Sequence, residues 1–166
     1  VGTTTNVVNS ITALKRFSKE KKYSIDIVNV FGEWNDYDFR NIDVNKIKLL
    51  DNNFILKGQK NSFLKSRFYM ILIFLNSIIP LFKLIKKNNY NYIIAHLITS
   101  LPIFLFCLIK TQTKLILSIA GFPKLTFLRS FFWKLLSKNI NKILCPSKET
   151  KHLLVNHNIF NQDKIF

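Results

Sequence analysis

The chain has 166 residues, 48% of them hydrophobic, and a formal net charge of +16 at pH 7. That length and apolar content exclude a disordered tail and suffice for one domain with a buried core. Cys107 and Cys145 stand apart without a CxxC, and His152 and His157 are not spaced as an i, i+4 pair, so neither a redox pair nor a metal site is expected.

The sequence opens VGTTTNVVNS, with no leading Met (the only one is Met70), and reads as a loop entering a helix. Val7, Ile11, Leu14 and Phe17 recur at spacings of four, three and three, which predicts a helix over 5–22 with a Thr-rich start. YSIDIVNVF (Tyr23–Phe31) alternates and is rich in Ile and Val, a strand pattern. GEWNDYDF and its surroundings read as a polar loop, and NFILKG (Asn53–Gly58) as a short strand ended by glycine. Residues 62–87 predict a long helix, basic and apolar, whose regular course Pro80 bends or ends. Its uncharged run from Phe68 to Phe82 falls short of the roughly 20 residues that a spanning helix needs. Two readings of it stand open, a buried helix of an α/β domain and a helix lying at a membrane surface.

NYIIAHL predicts a strand ending at His96, followed by a helix over 100–109 with Pro102 in its first turn. KLILSIAG is a strand stopped by Gly121. A helix over 126–137 follows, with Phe127, Phe131 and Leu135 on one side at a core-like spacing. NKILCPS is a short strand, and Ser147 caps a helix that carries Glu149 in its first turn. The closing NQDKIF reads as a strand beginning, and both ends suggest a segment of a larger protein. Apolar strands separated by helices predict an α/β fold, a parallel sheet with helices on both faces. Ligands in such sheets bind beyond the carboxyl ends of the strands. His96, Gly121 and Ser147 fall at such ends, and so does Gly2 if a preceding strand feeds it. For His96 two roles stay open: a core histidine held by backbone, or a group facing a cleft.

The charge is uneven. Residues 1–60 hold ten Lys or Arg against seven Asp or Glu, whereas residues 61–166 hold fifteen against two. Such a field attracts polyanions: nucleic acid, anionic lipid or phosphorylated substrates. The alternative is compositional, with Lys as the default solubiliser in a chain crowded with Lys, Asn, Ile and Phe.

LSIAGFPKLTFLRSFFWKLLSKNINKILCPSKETKHLL resembles the second half of the N-terminal domain of bacterial glycosyltransferases of the GT-B fold, in the large retaining family four. NYIIAHL resembles the family's strand that commonly reads Asp, apolar residues, His, with Asn91 in place of the Asp. VGTTTNVVNSITALKR resembles its first glycine loop and helix, with Val1-Gly2 where a glycine pair is usual. The closest likeness is to enzymes that build O-antigens and capsular polysaccharides.

The resemblance implies a Rossmann-like domain over 1–166, one half of a GT-B fold, with its first strand and the C-terminal donor domain outside the segment. It implies transfer of a hexosyl-type sugar from a nucleotide-sugar to a lipid-linked saccharide acceptor, retaining and without a metal or other cofactor. The isolated segment is then expected to be inactive. Catalytic duty falls on His96, which would touch the transferred sugar. Gly2, Thr3 and Thr4 would approach the donor diphosphate and the acceptor. Gly121, Lys124 and Arg129 would line the same cleft and meet a phosphorylated lipid, although Lys124 and Arg129 also fit a solvated helix start. Expected partners are the nucleotide-sugar, the acceptor and an anionic membrane surface at the inner face of the cytoplasmic membrane, with no nucleic acid. The competing reading is a basic α/β module that binds nucleic acid or a membrane surface without catalysis.

Overall fold

A computed structural model of the chain describes residues 2–17, 23–30, 39, 44–50, 63–96, 100–119 and 126–166. It divides into two units, Val1–Leu81 and Phe82–Phe166, and the boundary falls inside one long helix.

In the first unit, helix α1 (Gly2–Phe17) precedes strands β1 (Asp26–Asn29) and β2 (Asn45–Lys48), which pair in parallel from Asp26 opposite Asn45 to Asn29 opposite Lys48. Val7 and Ile11, one turn apart on α1, bury with Ile27 of β1 and with Phe39. Leu14, expected on the same apolar face, is exposed instead. Asn45 Nδ2 donates to Asp26 Oδ1 at 3.0 Å across the strand pair, and Lys46 Nζ sits 4.7 Å above the Phe39 ring. β2 lies where the sequence reads as polar loop. Its NKIK side chains are mostly exposed, so backbone pairing rather than burial makes it a strand. The short strand expected over 53–58 lies outside the described residues.

Helix α2 (Phe63–Asn88) closes the first unit and opens the second. Ile73, Ser77, Leu81 and Ile85 recur every four residues and are buried. Phe68, Ile71, Leu75, Ile79 and Phe82 recur at three or four on the other side and are exposed. The expectation of a buried helix therefore holds for one stripe and fails for the opposite one. Pro80 removes the N–H that would bond the Asn76 carbonyl, yet the helix continues through it. Just before it, Ser77 Oγ donates to the Ile73 carbonyl at 2.6 Å and Asn76 Nδ2 to the Leu72 carbonyl at 2.8 Å. No helix among the described residues is long and apolar enough to cross a membrane.

The second unit is a parallel sheet in the order β3 (Tyr92–His96), β4 (Lys114–Ser118), β5 (Ile140–Leu144). The three apolar strands are adjacent and parallel, as expected of a parallel sheet, and the fold is α/β of Rossmann-like type, parallel sheets flanked by helices. Helix α3 (Ser100–Leu108) links β3 to β4, and α4 (Phe127–Leu136) with a 3-10 turn (Ser137–Asn139) links β4 to β5. α3 is apolar all round, as SLPIFLFCL dictates, and Leu101, Ile103 and Leu105 are fully buried. It packs beside α4, where Cys107 Sγ reaches the Leu136 carbonyl at 3.7 Å and accepts from Asn139 Nδ2 at 3.1 Å. Leu115, Leu117, Ile140 and Ile143 form the buried side of the sheet. Between β4 and β5 the register slips by one residue, so Leu115 pairs with Ile140 but Ile116 with Lys142. Asn141, the residue passed over, takes the Leu115 N–H on its own Oδ1 at 2.8 Å.

Helix α5 (Lys148–Asn156) follows β5, and Ile165 then bridges Ile143 in parallel, with Phe166 N donating to the Ile143 carbonyl. The strand expected in NQDKIF is reduced to that one bridge, because Gln162–Lys164 form a 3-10 turn instead. α4 departs from expectation. Phe127, Phe131 and Leu135 share one side, as their spacing predicts, but that side is exposed, and among the described side chains of the helix the buried one is Trp133. Trp133 packs its ring 5.5 Å from that of Phe160.

Candidate functional site

The carboxyl rim of the second sheet is built by register. His96 ends β3 opposite Ser118, which ends β4, and Ser118 pairs in turn with Leu144, which ends β5. Beyond this row, Ile119 N donates to the Leu144 carbonyl and Cys145 N to the Phe166 carbonyl. Side chains alternate along a strand, so His96 shares its sheet face with Tyr92 and Ile94, whereas Ala95 is turned into the core. That alternation is why a histidine can follow an apolar run without entering the core.

His96 is half-buried. Burial pushes its imidazole below the ordinary value of 6.5, because the charged form loses its hydration there. The ring is therefore neutral at pH 7, with one nitrogen a donor and the other an acceptor. Among the described residues none hydrogen-bonds the ring. Both roles open from sequence, a core histidine held by backbone and a group facing a cleft, are compatible with this burial.

Comparison with protein-family models, curated proteins and solved structures finds no match. The remaining candidate residues are therefore placed by the structure alone. Gly2, Thr3 and Thr4 form the first turn of α1, not a loop ahead of it. They belong to the first unit and His96 to the second. Gly121 and Lys124 lie outside the described residues. Arg129 stands in the first turn of α4, and its side chain lies outside them too. Ser147 caps α5 from the rim side, accepting from Thr150 N at 3.2 Å, so its hydroxyl already has a structural duty.

Two residues at the rim were not assigned to it from the sequence. Ser118 is the in-register neighbour of His96, and the two-residue period of LILS would have put it on the same face. Cys145 lies one residue past Leu144. Burial raises its thiol above the usual 9.0, with Lys151 pulling the other way, which makes it a poor nucleophile at neutral pH. Among the described residues no three His, Cys, Asp or Glu gather where a metal could bind. The rim offers a neutral imidazole and a hydroxyl at paired register positions, groups able to donate hydrogen bonds to a polar ligand and accept them from it.

Proposed function

We propose that the chain is the acceptor-side domain of a glycosyltransferase, which passes a sugar from a nucleotide-sugar donor to a lipid-linked saccharide at an anionic membrane surface. The observation that supports the reading is His96: a neutral imidazole with no hydrogen-bond partner among the described residues, ending an apolar strand of a parallel sheet at its carboxyl edge, in register with Ser118. Ligands of open parallel sheets are met at that edge. The resemblance of NYIIAHL and of the Gly121–Trp133 stretch to family-four enzymes supplies the reaction class. In this reading His96 holds a hydroxyl of the transferred sugar, and positively charged groups stabilise the departing diphosphate. Retention of configuration and independence of a metal come with the resemblance. The excess of basic residues after Asn61, and the exposed apolar stripe of α2 that ends at exposed Lys83, Lys86 and Lys87, support attachment to an anionic leaflet.

The test is sugar transfer by the protein encoded by the whole gene, with and without His96→Ala. Loss of one hydrogen bond made in the transition state lowers turnover about tenfold to a hundredfold. Turnover unchanged by the substitution, or lost only in step with the folded fraction, would return His96 to a structural role.

A further inference from the structure

The outward face of α4 has no reason to be apolar if water is its only neighbour. Phe127, Phe131 and Leu135 are 84%, 62% and 60% exposed, three large side chains one turn apart over a helix whose inner residue, Trp133, is 3% exposed. Leu108, at the end of α3 beside it, is 64% exposed. Lys110, Lys134 and Lys138 are exposed at the same two helix ends or along the stripe. Not one carboxylate occurs between Asp51 and Glu149, so neither helix opposes these cations.

We infer that this face of α4 is a membrane-docking element that lies in the headgroup layer of an anionic bilayer. The stripe protrudes from the outside of a helix, and convex Phe and Leu side chains suit a deformable apolar medium. Lysines on flexible stems can bury their methylenes beside the rings while the ammonium groups stay at the lipid phosphates. A single-stranded nucleic acid would also meet Phe and Lys, but Leu135 and Leu108 offer no ring for a base to stack on. The placement has a further consequence. The 3-10 turn leads directly into the start of β5, so α4 ends at the amino edge of the sheet and begins towards the carboxyl edge. Phe127, the most exposed of the three, is thus at the end of the helix nearer the rim that carries His96. A bilayer held there would present a lipid-linked acceptor to that rim.

The inference deepens the membrane side of the proposed function and rests on it, but not on the role of His96. It is tested by flotation of the full chain with vesicles of phosphatidylcholine alone and of phosphatidylcholine mixed with phosphatidylglycerol. Wild type is expected to float with the anionic vesicles, and Phe127→Ser/Phe131→Ser/Leu135→Ser to lose at least about tenfold in partitioning with an unchanged circular dichroism spectrum, since three buried apolar side chains are removed from the lipid contact and none from the core. A second readout needs no loss of binding: in Phe131→Trp, brominated lipid should quench the added fluorescence. Equal binding by wild type and triple variant, without quenching, would overturn the α4 assignment and leave the membrane reading to α2. No flotation of wild type would overturn both, whatever His96→Ala does to transfer. Binding of single-stranded RNA that the triple variant loses, or a wild-type dimer that it dissolves, without flotation, would assign the face to nucleic acid or to a second copy and overturn the lipid.

Discussion

His96 stands directly opposite Ser118 at the last paired position of β3 and β4, where the sheet opens to its carboxyl edge. The imidazole is half-buried there and held neutral by loss of hydration. The consequence for stability has a definite sign. A histidine whose folded value is depressed binds protons more readily in the unfolded chain, so stability is constant above the unfolded value of 6.5 and falls as pH drops below it, until the folded value is passed. Urea unfolding of wild type and His96→Gln should therefore diverge as pH falls below 6.5 and run parallel above it. Parallel curves throughout would mean that the ring is as hydrated in the fold as outside it.

Asn141 replaces a ladder bond with a side chain. The register slip leaves the Leu115 N–H to Asn141 Oδ1, and Leu115 is fully buried. Asn141→Ala should cost about 1–3 kcal/mol, the penalty of a buried donor left unmade. Asn141→Asp keeps the acceptor and should cost less. Hydrogen exchange at the Leu115 amide reads the bond itself, and protection retained in Asn141→Ala would show that another acceptor takes over.

The strands of the second sheet were legible because their chemistry is one-dimensional. YIIAHL and KLILSIAG are largely apolar runs bounded by turn residues, as a covered parallel sheet demands, whereas NKILCPS offers only Ile143, Leu144 and Cys145 before its Pro-Ser. β2 was not legible, since NKIK buries little and owes its conformation to the backbone of β1. The helix spacing of Phe127, Phe131 and Leu135 was correct, yet periodicity says which residues share a side and not which side meets the core. On α4 the core took Trp133 instead. His96 could be placed at a strand end from sequence, but Ser118 as its neighbour required the register, which no local pattern encodes.

Ser147 should behave as a helix cap rather than as a rim ligand. Its hydroxyl accepts from Thr150 N and lies 3.1 Å from Thr150 Oγ1 at the mouth of α5. Ser147→Ala should lower stability by about 1 kcal/mol, and Ser147→Asp should retain most of it, because a carboxylate accepts the same N–H at the positive end of the helix. Thermal unfolding of the pair checks this. Equal losses in both variants would show that the hydroxyl, not the capping acceptor, is what the site requires.

Trp133 carries a tension that a conservative substitution resolves. Its ring is buried against Phe160, and its Nε1 is buried with no hydrogen-bond partner among the described residues. The ring's burial stabilises α4 against the core, whereas the stranded N–H opposes it by about 1–3 kcal/mol relative to hydration. Trp133→Phe removes the N–H together with part of the ring, so the two effects offset, and the loss should stay below about 1.5 kcal/mol, as for other apolar replacements of similar shape. Trp133→Ala removes the whole packing surface and should cost about 3–5 kcal/mol. Denaturant midpoints for the two variants separate the contributions. A Trp133→Phe loss as large as that of Trp133→Ala would mean that the indole N–H is satisfied in solution and is itself what fixes α4 in place.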